Sequence, residues 1–183
     1  HSPDVVTWSG QNMVNYLFHR RDFLDEVNNW LGKLGVDYEV HIRDLAAEPT
    51  PLVELRLRDT RARTKYDVNA VDVGYGVGQV LPFLVQALSG DGSLISVEQP
   101  ELHIHPRLQS ELGSLLAEGI SKGNRFIIET HSEHLILRLQ KLIRTGKLRP
   151  DDVAVLYVAR GPEGSTVEQL RLDDDGLFKL LGP

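Results

Sequence analysis

Cysteine is absent from the 183 residues, which excludes a disulfide scaffold, a cysteine-based zinc ribbon and a thiol nucleophile. Also absent is any apolar run approaching the ~18 residues of a membrane helix, and the N-terminus shows no signal-peptide pattern. Basic residues fall short of acidic ones, 20 against 26, giving a net charge of −6 and a pI near 5.6. A broadly nucleic-acid-binding surface is therefore not expected, although a local basic patch is compatible with this balance. Internal repeats and low-complexity segments are missing too. What remains is an ordinary globular composition, 41% hydrophobic and 25% charged, in a length suited to one domain with its own core. The expectation is a soluble, cytoplasmic chain.

Between Gln11 and Leu34 the apolar residues Val14, Leu17, Phe18, Leu24, Val27, Trp30, Leu31 and Leu34 recur at helical spacing. This predicts one or two amphipathic helices that end at Gly35. The period then changes to alternation, at Tyr38, Val40 and Ile42 and again over Leu52–Leu57, with Pro49-Thr50-Pro51 between. That pattern predicts a β-hairpin or small antiparallel sheet with one wet face. Arg56, Arg58, Arg61, Arg63 and Lys65 cluster at its far end. They suit either a solvated strand edge or a contact surface for a partner or nucleic acid.

From Val71 onward the character is different. Gly74, Gly76 and Gly78 introduce an apolar helix over Val80–Leu88, with Pro82 expected in its first turn. Continuous apolar runs at Ser93–Val97, Arg125–Glu129 and Val153–Ala159 suit strands buried on both faces. Leu108, Leu112, Leu115, Leu116 and Ile120 mark a helix between the first two runs, and Ser132–Thr145 another. The alternation predicts an α/β layer with right-handed crossovers. Asp173-Asp174-Asp175-Gly176 is a turn signal near the end.

Reactive side chains concentrate where α/β sheets place sites, at the carboxyl ends of strands. The run Leu94–Val97 ends in Glu98-Gln99-Pro100-Glu101-Leu102-His103-Ile104-His105-Pro106, and Phe126–Ile128 ends in Glu129-Thr130-His131-Ser132-Glu133-His134. A carboxylate held on a rigid strand suits Mg²⁺, which demands near-octahedral oxygen ligands. A histidine at the next strand end is placed to contact a γ-phosphate or orient a water. The stretch Gly74-Tyr75-Gly76-Val77-Gly78-Gln79 opens a helix, where glycine admits close approach and free N–H groups face an anion.

In this order and spacing, the three stretches resemble the C-terminal half of an ABC-type ATPase, within the AAA and OLD-like prokaryotic ATPases related to RecF and SMC proteins. The resemblance implies a P-loop NTPase-like α/β fold, a parallel sheet flanked by helices. Residues 1–70 would form a helical and β-hairpin arm, and 71–183 the C-terminal half of the nucleotide-binding domain. It further implies Glu98 as the Walker B carboxylate on Mg²⁺, and Gln99 where most relatives carry the catalytic glutamate. Glu101 to His105 match the partner-facing D-loop, His131 the switch histidine, and Gly74, Gly76, Gly78 and Gln79 the signature that closes on ATP held by another subunit. ATP and Mg²⁺ are the implied ligands. A homodimer is the implied assembly, with a nuclease, toxin or DNA as a further partner and no membrane. DNA repair and phage defence are among the processes such relatives serve.

The chain also departs from that pattern. Its signature lacks the usual serine, so phosphate contacts fall to backbone N–H groups and Gln79. Gln99 is an amide and no general base near neutral pH, which leaves Glu101, Glu129 or Glu133 as candidate bases and Gln99 to position a water. The phosphate-cradling loop G-x-x-x-x-G-K-[ST] does not occur: Gly32-Lys33 and Gly146-Lys147 are each followed by leucine and lack the leading glycine. The expectation is a piece of a larger ATPase that binds ATP weakly, if at all, by itself. Two other readings remain: a metal-dependent hydrolase using His103, His105, His131 and His134 with nearby glutamates, and a non-catalytic dimerisation module. Against the hydrolase, H-E-x-x-H is absent and the glycine signature goes unused.

Overall fold

A computed structural model describes residues 12–46, 52–64, 66–70, 72–73, 75–102, 104–162 and 164–179. The described residues begin with α1 (Met13–His19) and α2 (Arg21–Lys33), which bury Leu17, Leu24, Val27, Trp30 and Leu31, as their periodicity predicts, and Tyr16 besides. They cover one face of an antiparallel sheet made of β1 (Tyr38–Ala46), β2 (Leu52–Asp59) and β3 (Asp67–Asn69), in that spatial order. Val40, Ile42 and Leu57 point into this core. The free edge of β1 is occupied at one point by Asn28 of α2. Its Oδ1 accepts the Val40 N–H at 2.7 Å and its Nδ2 donates to the Val40 carbonyl at 3.1 Å. That pairing satisfies both edge groups of one residue, which an exposed strand leaves open.

The helix α3 spans Tyr75–Ser89, five residues longer at its start than the apolar run Val80–Leu88 suggests. Gly76, Gly78 and Gln79 therefore lie inside its first turns. Pro82 is interior rather than in the first turn, so no N–H is donated to the Gly78 carbonyl one turn back. The helix tolerates this because Val80, Leu81, Leu84, Val85 and Leu88 are all buried; packing outweighs propensity.

Strand β4 (Leu94–Glu98) follows, then a 3₁₀ turn at Pro106–Leu108, α4 (Gln109–Ser121), β5 (Arg125–Glu129) and α5 (Glu133–Arg144). β4 and β5 pair in parallel, from Leu94 opposite Arg125 to Glu98 opposite Glu129. Ile95, Val97, Phe126 and Ile128 face the helices. Asn124, 2% exposed, holds the lower end of this unit: it donates to the Gln86 and Ala87 carbonyls at the end of α3 and accepts the Ser93 N–H. Lys122 bonds Glu26 of α2 at 2.5 Å and the Leu88 carbonyl at 3.3 Å, tying three helices together. Gly113 and Gly119 let α4 approach closely. A Cβ on Gly113 would lie 2.9 Å from the Arg138 side chain, and one on Gly119 2.6 Å from the Phe126 ring. One continuous cluster of buried residues runs from Met13 to Leu172.

Two expectations are corrected here. The runs at β4 and β5 are buried on one face only: Leu94 and Ile127 are each 58% exposed on the other. The third apolar run does not join them. It forms β6 (Val155–Gly161), which pairs antiparallel with β7 (Gly164–Leu170) in a sheet of its own among the described residues. Leu156, Tyr157, Val158 and Val167 are exposed on this hairpin. A run of apolar residues fixes strand conformation but not the partner, and Gly164–Leu170 supplies a local one. The Asp-rich stretch turns as expected, with the Gly176 N–H on the Asp173 carbonyl and Leu172 bridging to Phe178. Among the described residues, no helix is long and apolar enough to cross a membrane.

Candidate functional site

The parallel ladder ends with two carboxylates side by side, Glu98 on β4 and Glu129 on β5, both exposed. Like charges directly opposite each other weaken a sheet, so an electropositive group between or above them would be welcome. Directly after Glu98 the chain breaks away. Gln99 takes a left-handed backbone with φ 47°, uncommon for a residue with a side chain, and its N–H donates to the Glu129 carbonyl at 2.7 Å. That bond lets β4 turn sharply while staying tied to its neighbour. Successive turns follow, with the Leu102 N–H on the Gln99 carbonyl and the Ile104 N–H on the Glu101 carbonyl.

These turns fold Glu101 inward. It is 7% exposed, and its Oε1 accepts the backbone N–H of His131 at 2.8 Å. A second link runs through Gln109, at the start of α4. Its Nε2 donates to the Ile104 carbonyl at 3.3 Å, and its Oε1 accepts the hydroxyl of Ser132 at 2.7 Å. Ser132 in turn caps α5 by accepting the Leu135 N–H, and its own N–H donates to the Thr130 hydroxyl. The segment after β4 is thus tied to the end of β5 and the loop after it through Gln99–Glu129, Glu101–His131 and, from the start of α4, Gln109–Ser132. Glu101 and Gln99 share this seam with His131 and Glu129, whereas Gln109 lies outside every motif and Ser132, though within the stretch after β5, has no role that the motif assigns.

Other predicted residues stand apart. Gly76, Gly78 and Gln79 sit at the start of α3, and Gly78 and Gln79 are exposed. No hydrogen bond among the described residues joins them to Glu98, Gln99 or His131. Gly74 and His103 lie outside the described residues. His105, His131 and His134 are exposed, and among the described residues no three His, Cys, Asp or Glu gather as a metal cage. The basic cluster is largely spoken for: Arg56 pairs with Glu54, Arg58 with Asp67 and Arg61 with Asp37. Lys65 lies outside the described residues, and Arg63 is exposed.

The donor set fits the ligands that the motifs imply. Mg²⁺ is commonly held by one or two protein carboxylates, with waters and substrate phosphates completing its shell. Glu98 on its strand end, with Glu129 beside it, offers such a set; a complete cage of protein ligands is not required.

The sequence matches, over residues 11–138, the family described as "AAA domain, putative AbiEii toxin, Type IV TA system". The chain belongs to this AAA family. No curated protein matches it. Among solved structures it is similar to an SMC head bound to the C-winged helix domain of ScpA, with TM-score 0.61 at 12% identity, over 93% of this chain and 49% of that one. It is also similar to an SMC ATPase studied for ATP-driven dimerisation and DNA-stimulated activation, with TM-score 0.53 at 12% identity, over 85% and 87% of the two chains. A third is the Smc head domain with an extended coiled coil from Pyrococcus furiosus, bound to the C-terminal domain of ScpA, with TM-score 0.59 at 12% identity, over 88% and 38%. The chain spans about half the length of the first of these. Over the part they share, its fold is similar to that of SMC ATPase heads.

Proposed function

We propose that this AAA-family chain provides the Walker B, D-loop, signature and switch-histidine elements of an ATP-hydrolysing switch that works as a dimer. The observation that carries the reading is the seam itself: Glu98 ends a strand beside Glu129, and the loop that follows is bonded to the loop bearing His131. Glu98 would hold Mg²⁺, which supplies charge neutralisation at the phosphates when bound. The exposed His131 is free to meet a γ-phosphate, and Gln99 positions rather than deprotonates a water. Glu129 and Glu133 are exposed and available as bases, whereas the Glu101 carboxylate is buried and already engaged. The start of α3, with Gly76, Gly78 and Gln79, is the surface offered to a second subunit. Residues 1–70 would act as an arm on this unit. Toxin–antitoxin function is the process the family description names, with phage defence and DNA repair as further ones; a nuclease, toxin or DNA would be the additional partner.

The test uses the full-length protein that carries this chain. Substituting Glu98→Ala is expected to lower ATP hydrolysis on the order of 10²-fold and to abolish ATP-dependent dimerisation in sedimentation velocity. A variant that hydrolyses ATP and dimerises as the wild type does would overturn the assignment of Glu98. Gln99 favours one second reading, a dimerisation module without turnover. It would show itself as nucleotide-dependent association with no phosphate release.

A further inference from the structure

His131 has an exposed side chain with no partner among the described residues, so its backbone alone sets the point from which the imidazole reaches out. That backbone is held chiefly by one group, the Oε1 of Glu101, which accepts the His131 N–H at 2.8 Å from thirty residues earlier in the chain. The arrangement is costly. Glu101 is 7% exposed, and its Oε2 is buried with no hydrogen-bond partner among the described residues. An unsatisfied carboxylate oxygen away from water opposes folding. Two facts explain what the cost obtains. A bond from an N–H to a carboxylate is stronger and shorter than one to a neutral acceptor, and Glu101 lies just ahead of the N-terminus of α5, where a negative group is favoured. Both features strengthen the grip on the peptide that carries His131.

We propose that Glu101 is a positioning residue for His131. Its carboxylate fixes the His131 peptide, and the Gln109–Ser132 bond holds the next residue, so the placement of the loop after Gln99 sets the placement of the imidazole. Gln99, with its left-handed backbone, heads that loop, and Leu102 is exposed at its tip. A subunit pressing on it would move His131 through Glu101 rather than through any contact of its own with the histidine. This role rests on the ATPase reading for its consequence, though not for its geometry.

Two arms keep those apart, both in the full-length protein. Without nucleotide, Glu101→Ala is expected to speed hydrogen exchange at the His131 amide at least about tenfold, as loss of a charge-assisted bond implies. Glu101→Gln, which retains an acceptor, should stay within about threefold of wild type. The Leu115 amide in α4, unchanged in both, shows that the fold is intact. Exchange at His131 that does not respond to Glu101→Ala overturns the proposal whatever the protein hydrolyses. With ATP, Glu101→Ala should lower kcat about tenfold or more with KM little changed, and Glu101→Gln should restore most of it. In a His131→Ala background, Glu101→Ala should cost little further, since the two act as a unit. If Glu101→Gln is as inactive as Glu101→Ala, Glu101 takes part in proton transfer and the positioning role is overturned. If His131→Ala leaves hydrolysis unaltered, it is the ATPase assignment of His131 that fails, and the exchange arm still judges the tether.

Discussion

The exposed face of the β1–β3 sheet is covered by its own ion pairs, Arg56 with Glu54 and Arg58 with Asp67. The exposed face of the β4–β5 pair instead carries Leu94, Ser96 and Glu98 beside Arg125, Ile127 and Glu129, with two apolar side chains more than half open to solvent and two carboxylates abreast. Both sheets bury their other face in one continuous core. An antiparallel sheet is commonly wet on one side, whereas parallel strands are usually covered on both. The first surface pairs most of its charges within the chain, with Leu45 and Leu52 exposed towards one end. The second keeps its apolar and acidic groups unanswered, and these are the groups that the motifs connect with nucleotide.

The comparison predicts that the two faces of β4–β5 respond very differently to the same truncation. Ile95 is 4% exposed on the inner face, and Ile95→Ala should cost about 2–5 kcal/mol in urea unfolding, through lost burial and a cavity. Ile127 is 58% exposed on the outer face, and Ile127→Ala should stay within about 0.5 kcal/mol of wild type. Equal losses at the two positions would mean that the outer face is covered, and would erase the contrast.

How much of this was legible in the sequence follows the range of the interaction concerned. Periods of three and four residues placed α2, α4 and α5, because burial of a helix face is written locally. The start of α3 lies earlier than the sequence suggests, since Gly76 and Gly78 disfavour helix, yet Val77, Val80, Leu81 and Leu84 form a spaced face that the core accepts. β3 is Asp67-Val68-Asn69, too short to show a period; its place is set by Arg58 and Arg56 bonding Asp67 and Asn69 across the ladder. The partner of β6 could not be read from its apolar run, because strand composition carries no pairing information. At the candidate site, Glu98, Gln99 and His131 stood out because strand ends concentrate polar residues. The bonds of Glu101 to His131, of Gln109 to Ser132 and of Asn124 to α3 join residues 23 to 38 positions apart. Such pairs leave no local pattern, only a polar residue that folding turns inward.

Packing between the helices and β5 offers a smaller effect. Gly119 faces the Phe126 ring and the Ala87 carbonyl, and an added Cβ would lie 2.6 Å from the one and 2.7 Å from the other. A ring edge can tilt, but a helical carbonyl held by its neighbours cannot. Gly119→Ala should therefore destabilise by about 1–3 kcal/mol despite alanine's better helix propensity. The denaturant midpoint should fall with its slope unchanged. A neutral or stabilising result would show that α4 can slide away from α3, so that the β4–β5 unit is less firmly seated than the β1–β3 sheet.

The smallest expected effect lies on the ion-paired face, and its size depends on pH. The Arg58 guanidinium donates to both oxygens of Asp67, Nε to Oδ1 at 2.8 Å and Nη2 to Oδ2 at 3.3 Å. That hydrogen bonding, with weaker attraction from Arg58, His41 and Arg43, holds the Asp67 carboxyl below its ordinary range despite the opposing effect of burial. A carboxylate whose folded pKa lies below its unfolded value stabilises the fold fully above the unfolded value, near about 3.9. The contribution fades as pH falls through the folded pKa, because the protonated group no longer pairs. Arg58 stays charged throughout and adds no pH dependence of its own in this window. Asp67→Asn should accordingly lower the unfolding temperature slightly at neutral pH, by less than Gly119→Ala does, and the difference should shrink below about pH 4. Added salt should reduce it as well, since the pair is partly exposed. A difference that holds constant down to about pH 2.5 would show that shape rather than charge makes Asp67 matter, and the outer face of the first sheet would then rest on packing, as its buried face does.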